Sequence, residues 1–506
     1  MDAKSAYRGR PGRVSGIARV RSFATCEFYT EPVSSEQVTD NPAPDLTRLF
    51  APRAIAVAGA STNVDSAGHD YVRSMREFGF EGPVYPINPR ASEIAGYPAY
   101  PTILDCPGEI DLVISCIPAE AVPGLVDQCG QKGVPFLHLF TGRFSETGDE
   151  TAAALEREIE ARAKAAGVRI LGPNGMGLYN PSAGVSFRPD LPHAPGKVAV
   201  LSQSGNNAVE ITVRGAARGL GWGKVANYGN GMDLTPAVLL RYLGDDPETS
   251  VIGAYVEGVP DGRAFFDALK SAAAKKPVVI HKAGRTVAGA RSAASHTAAL
   301  AGAASLWATA IRQAGAYEAR NQDQLLDLLV ALSLMPPVTG RRIAVVGGGG
   351  GRSVQSADAC EENGFEVVPL SDAVRARVRE RAPQLADWVG NPVDQSILAG
   401  SGLSSNGLLE LMLDGDEYDV AIANIGEDWF LGRPDAGDRL RKANQRLLSL
   451  VAARRKPIAV VFGPTENTSE WQREVLDEAR AELVAAGCAV FPTVERAAWT
   501  LAAIAR

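Results

Sequence analysis

Residues 53–68 read Arg53-Ala54-Ile55-Ala56-Val57-Ala58-Gly59-Ala60-Ser61-Thr62-Asn63-Val64-Asp65-Ser66-Ala67-Gly68. A short aliphatic run passes into small residues and then into a helix expected to start near Gly68. This is how a parallel α/β unit opens, because a strand covered on both faces reads as an uninterrupted apolar run. The pattern continues with strands expected at Ala54 to Ala58, Val84 to Ile87, Leu112 to Ile117, Phe136 to Leu139 and Arg169 to Leu171. A second series comprises Val198 to Ser202, Lys224 to Asn227, Val251 to Val256 and Val278 to Lys282. Met335-Pro336-Pro337-Val338-Thr339-Gly340 reads as a linker, since Pro-Pro removes backbone donors and disfavours helix. Beyond it lie Ile343 to Val346, Val367 to Leu370, Val420 to Asn424, Ile458 to Phe462 and Ala489 to Phe491. With 506 residues and roughly 150 per domain, the expectation is three doubly wound domains at 46–180, 181–335 and 341–506, after a flexible extension over 1–45.

Composition narrows the classes of function. Lys+Arg 51 against Asp+Glu 58 gives a net charge of -7, which argues against nucleic acid or an anionic membrane as partner. Charged residues interrupt every apolar run before it reaches the ~18 residues of a membrane span. The six cysteines, Cys26, Cys106, Cys116, Cys129, Cys360 and Cys488, form no C-x-x-C pair and have no nearby His. Neither a metal site nor a disulfide framework is readable, and a reducing cytoplasm fits. The extension carries Arg and Pro without a continuous apolar core; a transit peptide or an overlong start are its other readings.

Four stretches bear on chemistry. Gly59-Ala60-Ser61 ends a strand with residues small enough for backbone N–H groups to approach a phosphate. It is not G-x-G-x-x-G, so a nicotinamide dinucleotide is disfavoured and another nucleotide-containing ligand is expected. Gly347 to Gly351 is not a P-loop: that motif needs Gly at 346 and Lys at 352, where the chain has Val346 and Arg352. The turn therefore either binds some anion or permits close packing. Ser202-Gln203-Ser204-Gly205-Asn206-Asn207 runs from a strand into a helix and offers an anion cradle, though an ordinary Ser N-cap reads the same way. Between Leu269 and Tyr317 there are seven Lys or Arg and no Asp or Glu, which points to an anionic ligand. His296 stands in that window on an Ala- and Gly-rich loop that can move at little steric cost, placed to act as a nucleophile toward phosphorus. His69, His138, His193 and His281 are read as structural or surface residues.

Together these residues resemble the NDP-forming acyl-CoA synthetase superfamily. The carrier is Lys282-Ala283-Gly284-Arg285-Thr286 through Ser295-His296-Thr297-Ala298-Ala299-Leu300-Ala301-Gly302, similar to that family's phosphohistidine loop. Val84-Tyr85-Pro86-Ile87-Asn88-Pro89, Gly172-Pro173-Asn174, Ser202 to Gly205, Glu257-Gly258 and Asn391-Pro392-Val393-Asp394 add to it. The resemblance spans roughly residues 47 to 505 and implies a Rossmann-like CoA-binding domain, a ligase domain and a second flavodoxin-like domain. It implies that His296 is phosphorylated, that Glu257 orients the imidazole, and that Ser204, Gly205 and Asn206 cradle the phosphoryl group. Gly59, Ala60, Ser61, Asn88, Arg90, Ile117, Pro118 and Ala119 would contact CoA. No metal ligand is implied.

Two departures stand out. Gly175 occupies a position where the family often has Cys, so the thioester pocket should differ in shape. Ala298 stands where Gly is frequent, so the loop should be stiffer. The family's ATP-grasp domain has no counterpart segment here, so ADP or ATP and Mg2+ are expected on an ATP-grasp β subunit in a hetero-oligomer. The implied activity is that of an α-type subunit of an acid-CoA ligase acting on a small carboxylic acid or its acyl-CoA. The alternatives are a nucleotide-independent CoA-dependent acyl or phosphate transferase and a non-catalytic CoA-binding regulator. Because the Gly59-Ala60-Ser61 turn lacks the dinucleotide spacing, the chain should bind CoA more tightly than NAD in a titration of each ligand; tighter NAD binding would reverse this reading.

Overall fold

The structure is a computed structural model. It describes residues 45–505 except 298–303, 427–434, 454 and 464–468, without the side chains of 293–297. The expected extension therefore lies outside the described residues, apart from Asp45. No described helix is long and apolar enough to cross a membrane.

Three sheets follow one another. The first contains β1 (Ile55–Ala58), β2 (Val84–Ile87), β3 (Leu112–Ser115), β4 (Phe136–Leu139) and β5 (Arg169–Leu171), all parallel, in the order β2-β1-β3-β4-β5. Every residue of β1 to β4 is buried, which is why these strands read as apolar runs. The order reverses between β1 and β3, and the crevice at their carboxyl ends is the usual ligand position of such sheets. Helix α1 (Ala67–Glu77) leaves the β1 turn with Ser66 as its N-cap, one residue before the expected start.

The second sheet holds β6 (Gly177–Tyr179), β7 (Pro195–Ser202), β8 (Trp222–Asn227), β9 (Val251–Val256), β10 (Val278–Lys282) and β11 (Tyr317–Ala319). Its order is β11-β10-β9-β7-β8-β6, reversing between β7 and β9. Strand β6 joins this sheet antiparallel to β8, although it precedes the expected boundary at residue 180. Helix α2 (Gly205–Ala216) follows β7, α3 (Val287–Thr297) follows β10, and α4 (Gln322–Leu334) follows β11.

The third sheet orders β12 (Ile343–Val346), β13 (Val420–Asn424), β14 (Ile458–Val461) and β15 (Val490–Phe491) in sequence. The strand expected at Val367 to Leu370 does not form; a single parallel bridge joins Glu366 to Arg342. Pro369 lacks the N–H a ladder needs, and the Asn391 side chain takes over the edge. Its Oδ1 accepts from Val345 N at 2.9 Å, and its Nδ2 donates to the Ile343 and Val368 carbonyls at 2.8 and 2.9 Å. Helix α5 (Gly350–Glu362) leaves the glycine-rich turn. There Gly347 has φ +90°, and a Cβ on it would sit 1.7 Å from the Asn424 carbonyl oxygen. Close packing thus accounts for at least that glycine.

Helix α6 (Val494–Ile504) of the third domain packs on α4. Asp327, 1% exposed, accepts two hydrogen bonds from Arg496 at 2.7 and 2.9 Å and pairs with Arg218 at 2.7 Å. The Arg496–Asp327 pair ties the third domain to the second through a buried carboxylate that Arg218 of the second domain also neutralises. Asn391→Leu should lower stability by about 2–4 kcal/mol, because three hydrogen bonds of about 1 kcal/mol each disappear and the β12 groups stay buried; denaturant titration of the chain checks this, and a change within 0.5 kcal/mol would contradict the role given to Asn391.

Candidate active site

The first switch point is built from residues that the sequence placed apart. Gly59 has φ +83°, and a Cβ there would meet the Cys116 carbonyl oxygen at 2.8 Å and Ile117 Cγ2 at 3.1 Å. The turn after β1 is therefore pressed against the end of β3. Asn88, after β2, donates through Nδ2 to the Ala60 carbonyl at 2.8 Å and accepts from Arg90 N and Ala91 N at 2.8 and 3.2 Å. His69 Nδ1 donates to the Ser61 carbonyl at 2.9 Å. Thr141 Oγ1 donates to the Ile117 carbonyl at 2.7 Å. Gly59, Ala60, Asn88 and Ile117 thus meet at the carboxyl ends of β1, β2 and β3, with Ser61 next in the turn. Arg90 and Pro118 are exposed, and Ala119 is half-buried in the turn that follows β3.

The second switch point brings together the ends of β7 and β9. Ser204 is the N-cap of α2, but its hydroxyl accepts from Asn207 N at 3.5 Å, too long for a strong cap. The helix N-terminus behind it concentrates partial positive charge. Gln203 joins the two strand ends: its Oε1 accepts from Glu257 N at 2.8 Å and Gly258 N at 3.1 Å. Glu257 is 7% exposed, and Tyr255 donates to its Oε1 at 3.2 Å.

Lys282 lies beside it, 2% exposed, donating to the Glu257 carbonyl at 2.7 Å and to the Ala283 carbonyl. Its ammonium stands 5.2 Å from the Trp307 ring centroid. Burial pulls its pKa down to about 8, the Glu257 carboxylate opposes that fall, and Arg285 adds to it. His281, edge-on to Tyr255 at 5.2 Å, is held neutral by the same desolvation, with a pKa of about 4.

A cleft of about 370 Å³ separates the cradle from the loop after β5; Asn174, Gly175 and Met176 face Ser204, Gly205 and Asn206 across it. Asn227, ending β8, fixes this juxtaposition: its Oδ1 accepts from Met176 N at 2.5 Å and its Nδ2 donates to the Ser202 carbonyl at 2.8 Å. His138 is buried with its pKa pulled down to about 4, so it is neutral and donates from Nε2 to the Gly175 carbonyl at 2.8 Å. A Cβ at Gly175 would lie 2.7 Å from the Asn227 carbonyl oxygen, which explains why this chain has Gly at that position.

Helix α3 carries His296 in its last turn, and it packs against Ser145–Thr147 at the edge of the first domain. The His296 side chain and Ala298 to Gly302 lie outside the described residues. The cationic window proves divided. Lys275 pairs with Asp245, and Lys276 donates to the Leu243 and Asp246 carbonyls, both before β10 at the far edge of the sheet. Lys282 and Arg285 stand at the ligand edge, where Arg285 donates to the Arg320 carbonyl at 2.7 Å. Sequence reasoning gave no role to Gln203 or Asn227. An amide side chain closing an apolar strand at its carboxyl end is the signal that could have found Asn227.

A family model described as a CoA binding domain matches residues 53–181, and one described as a succinyl-CoA ligase like flavodoxin domain matches 195–332. The acetate–CoA ligase [ADP-forming] I subunit alpha of Pyrococcus furiosus is 31% identical over 467 residues, 91% of this chain and 97% of that one. This chain belongs to the NDP-forming acyl-CoA synthetase superfamily. Its match extends over nearly the whole of that relative's α subunit. The chain is also 37% identical over 351 residues, 69% of its length, to acetate–CoA ligase [ADP-forming] I of Archaeoglobus fulgidus, of which it spans about half (50%). A solved structure of dinucleotide-forming acetyl-coenzyme A synthetase 1 from Ca. Korarchaeum cryptofilum, in complex with phosphate and ADP, superposes with TM-score 0.78 at 30% identity, covering 91% of this chain and 96% of that one.

The burial of Lys282 has a signed consequence. With isotopically labelled lysine, the Lys282 side-chain resonance should titrate with a midpoint near 8, and Glu257→Gln should move that midpoint lower, because it removes the one group that raises it. A midpoint at the ordinary lysine value would show that Lys282 is not desolvated.

Proposed function

We propose that this chain is the α subunit of an ADP-forming acid-CoA ligase that works through an acyl phosphate and a phosphohistidine. Gly59, Ala60, Ser61, Asn88, Arg90, Ile117, Pro118 and Ala119 hold CoA at the first switch point. The α2 N-terminus, with Ser204, Gly205 and Asn206, holds inorganic phosphate across the cleft from Gly175. A phosphate oxygen attacks the thioester carbonyl carbon, the C–S bond breaks, and CoA leaves as the thiol after taking a proton. An imidazole nitrogen of His296 then attacks phosphorus, and the acyl oxygen departs with its electron pair as the carboxylate. Glu257 accepts the other ring N–H and stabilises the charge that develops on the imidazole.

The phosphoryl group is next taken by the terminal phosphate oxygen of ADP, which breaks the P–N bond and regenerates His296. That step needs Mg2+ and a clamp on the β-phosphate, and we place both on an ATP-grasp partner chain. The observation that carries this reading is the second switch point: a helix N-terminus and a buried glutamate at adjacent strand ends, tied by Gln203. An acid-CoA ligase needs an anion cradle and an imidazole-orienting carboxylate together, whereas CoA binding alone needs neither. The division of the Pyrococcus furiosus relative into subunits supports the partner.

Acyl-CoA with labelled phosphate should give an acid-labile, base-stable phosphoprotein, absent in His296→Ala and formed on the order of 100-fold more slowly in Glu257→Gln. ATP should appear from ADP only when an ATP-grasp subunit is added. Label persisting in His296→Ala, or ATP made by the pure chain, would overturn the assignment.

A further inference from the structure

A second cavity, about 570 Å³, adjoins the cleft that holds the phosphate cradle, and Phe140 and Met176 line both. Its floor is aromatic. Tyr71 and Phe140 meet edge-to-face with centroids 5.8 Å apart, Phe187 closes one side, and Ala67 leaves room in the first turn of α1. The Tyr71 hydroxyl donates to the Met176 carbonyl at 2.7 Å, so it is already used and the ring presents only carbon to the cavity.

The rim is charged, but its cations are taken. Arg73 bonds Asp70 at 2.8 Å, and Arg188 bonds Asp190 twice, at 2.8 and 2.5 Å. Asp65 adds a third carboxylate against these two guanidiniums. A ligand group entering here meets an apolar floor and a rim with one excess negative charge.

We infer that this cavity receives the acyl chain, and that the substrate is a monocarboxylic acid with a bulky apolar tail, aromatic or branched. The inference rests on the ligase reading above, since it takes the thioester carbon to lie at the cradle. An acyl group reacting there can extend past Met176 into the neighbouring space. Acetyl leaves the cavity unfilled. A dicarboxylate would bring its second charge to the acid-rich rim or would have to break an Arg–Asp pair. A volume of this size lies within the ordinary range for drug-sized ligands, and an apolar ring buried against aromatic walls gains affinity from the area it removes from water.

The test is calorimetric binding of CoA, acetyl-CoA, phenylacetyl-CoA and succinyl-CoA to the full chain. Phenylacetyl-CoA should bind at least tenfold tighter than acetyl-CoA, and succinyl-CoA no tighter than acetyl-CoA. Ala67→Phe should abolish the phenylacetyl gain while CoA affinity stays within twofold. Asp190→Asn, which frees Arg188, should raise succinyl-CoA affinity at least threefold and reads the same cavity if Ala67→Phe fails to fold. Equal affinities for all three thioesters would overturn the inference and leave the ligase reading standing. Weaker CoA binding by folded Ala67→Phe would assign the cavity to the pantetheine arm and also overturn it. Failure of the wild-type chain to bind CoA at all would instead remove the reading on which it rests.

Discussion

The site depends on the Asn227 side chain. One amide spans two domains: it accepts from the backbone of Met176, in the loop that closes the first domain, and donates to the end of strand β7, just before helix α2. Neither strand end can drift without breaking a hydrogen bond in a place with little water to replace it. The width of the cleft between the two domains is thus set by the reach of an asparagine. His138 and Tyr71 reinforce the same loop by donating to its carbonyls. Preorganisation of this kind matters more to group transfer than contact area, because small misplacements of reacting atoms are costly.

The three domains solve one topological problem in the same way. The parallel part of each sheet, or its remnant in the third, starts at an interior strand, steps to one side and then crosses to the other, leaving a crevice at the reversal. In the first two the crevice gathers backbone donors, side-chain amides and a helix start. In the third the Gly347 turn is drawn against Asn424, and Asn391 stands in for a missing strand.

Much of this was legible because a strand buried on both faces has to be apolar along its whole length. The runs at Ile55, Val251, Val278 and Ile343 could hardly be anything else. Reading failed where hydrogen bonding overrode apolarity: Val367 to Leu370 looks like a strand, but Pro369 withholds a donor and a side chain 21 to 24 positions later takes the edge. Gly177–Tyr179 and Tyr317–Ala319 were too short to show a period. Of the candidate site, the turns at Gly59 and Ser204 were legible as strand ends where chain direction puts ligands, while Glu257 entered only through the family resemblance. Its bridging amides were not, because the groups they join, Met176 and Asn227 or Gln203 and Glu257, become neighbours only once the sheets have formed. The cation-rich window misled in part, as charge composition does not tell which edge of a sheet a lysine reaches.

Strand β6 bears on how this chain can be divided. It follows the last strand of the first sheet, yet it pairs antiparallel with β8 of the second. A cut in the connection between Asn180 and Pro195 would leave the N-terminal piece with an unpaired edge segment and the C-terminal piece with an exposed β8, each a template for aggregation. Exchanging the first domain between relatives would succeed only at a seam placed ahead of Gly177, so that strand β6 travels with the sheet it completes.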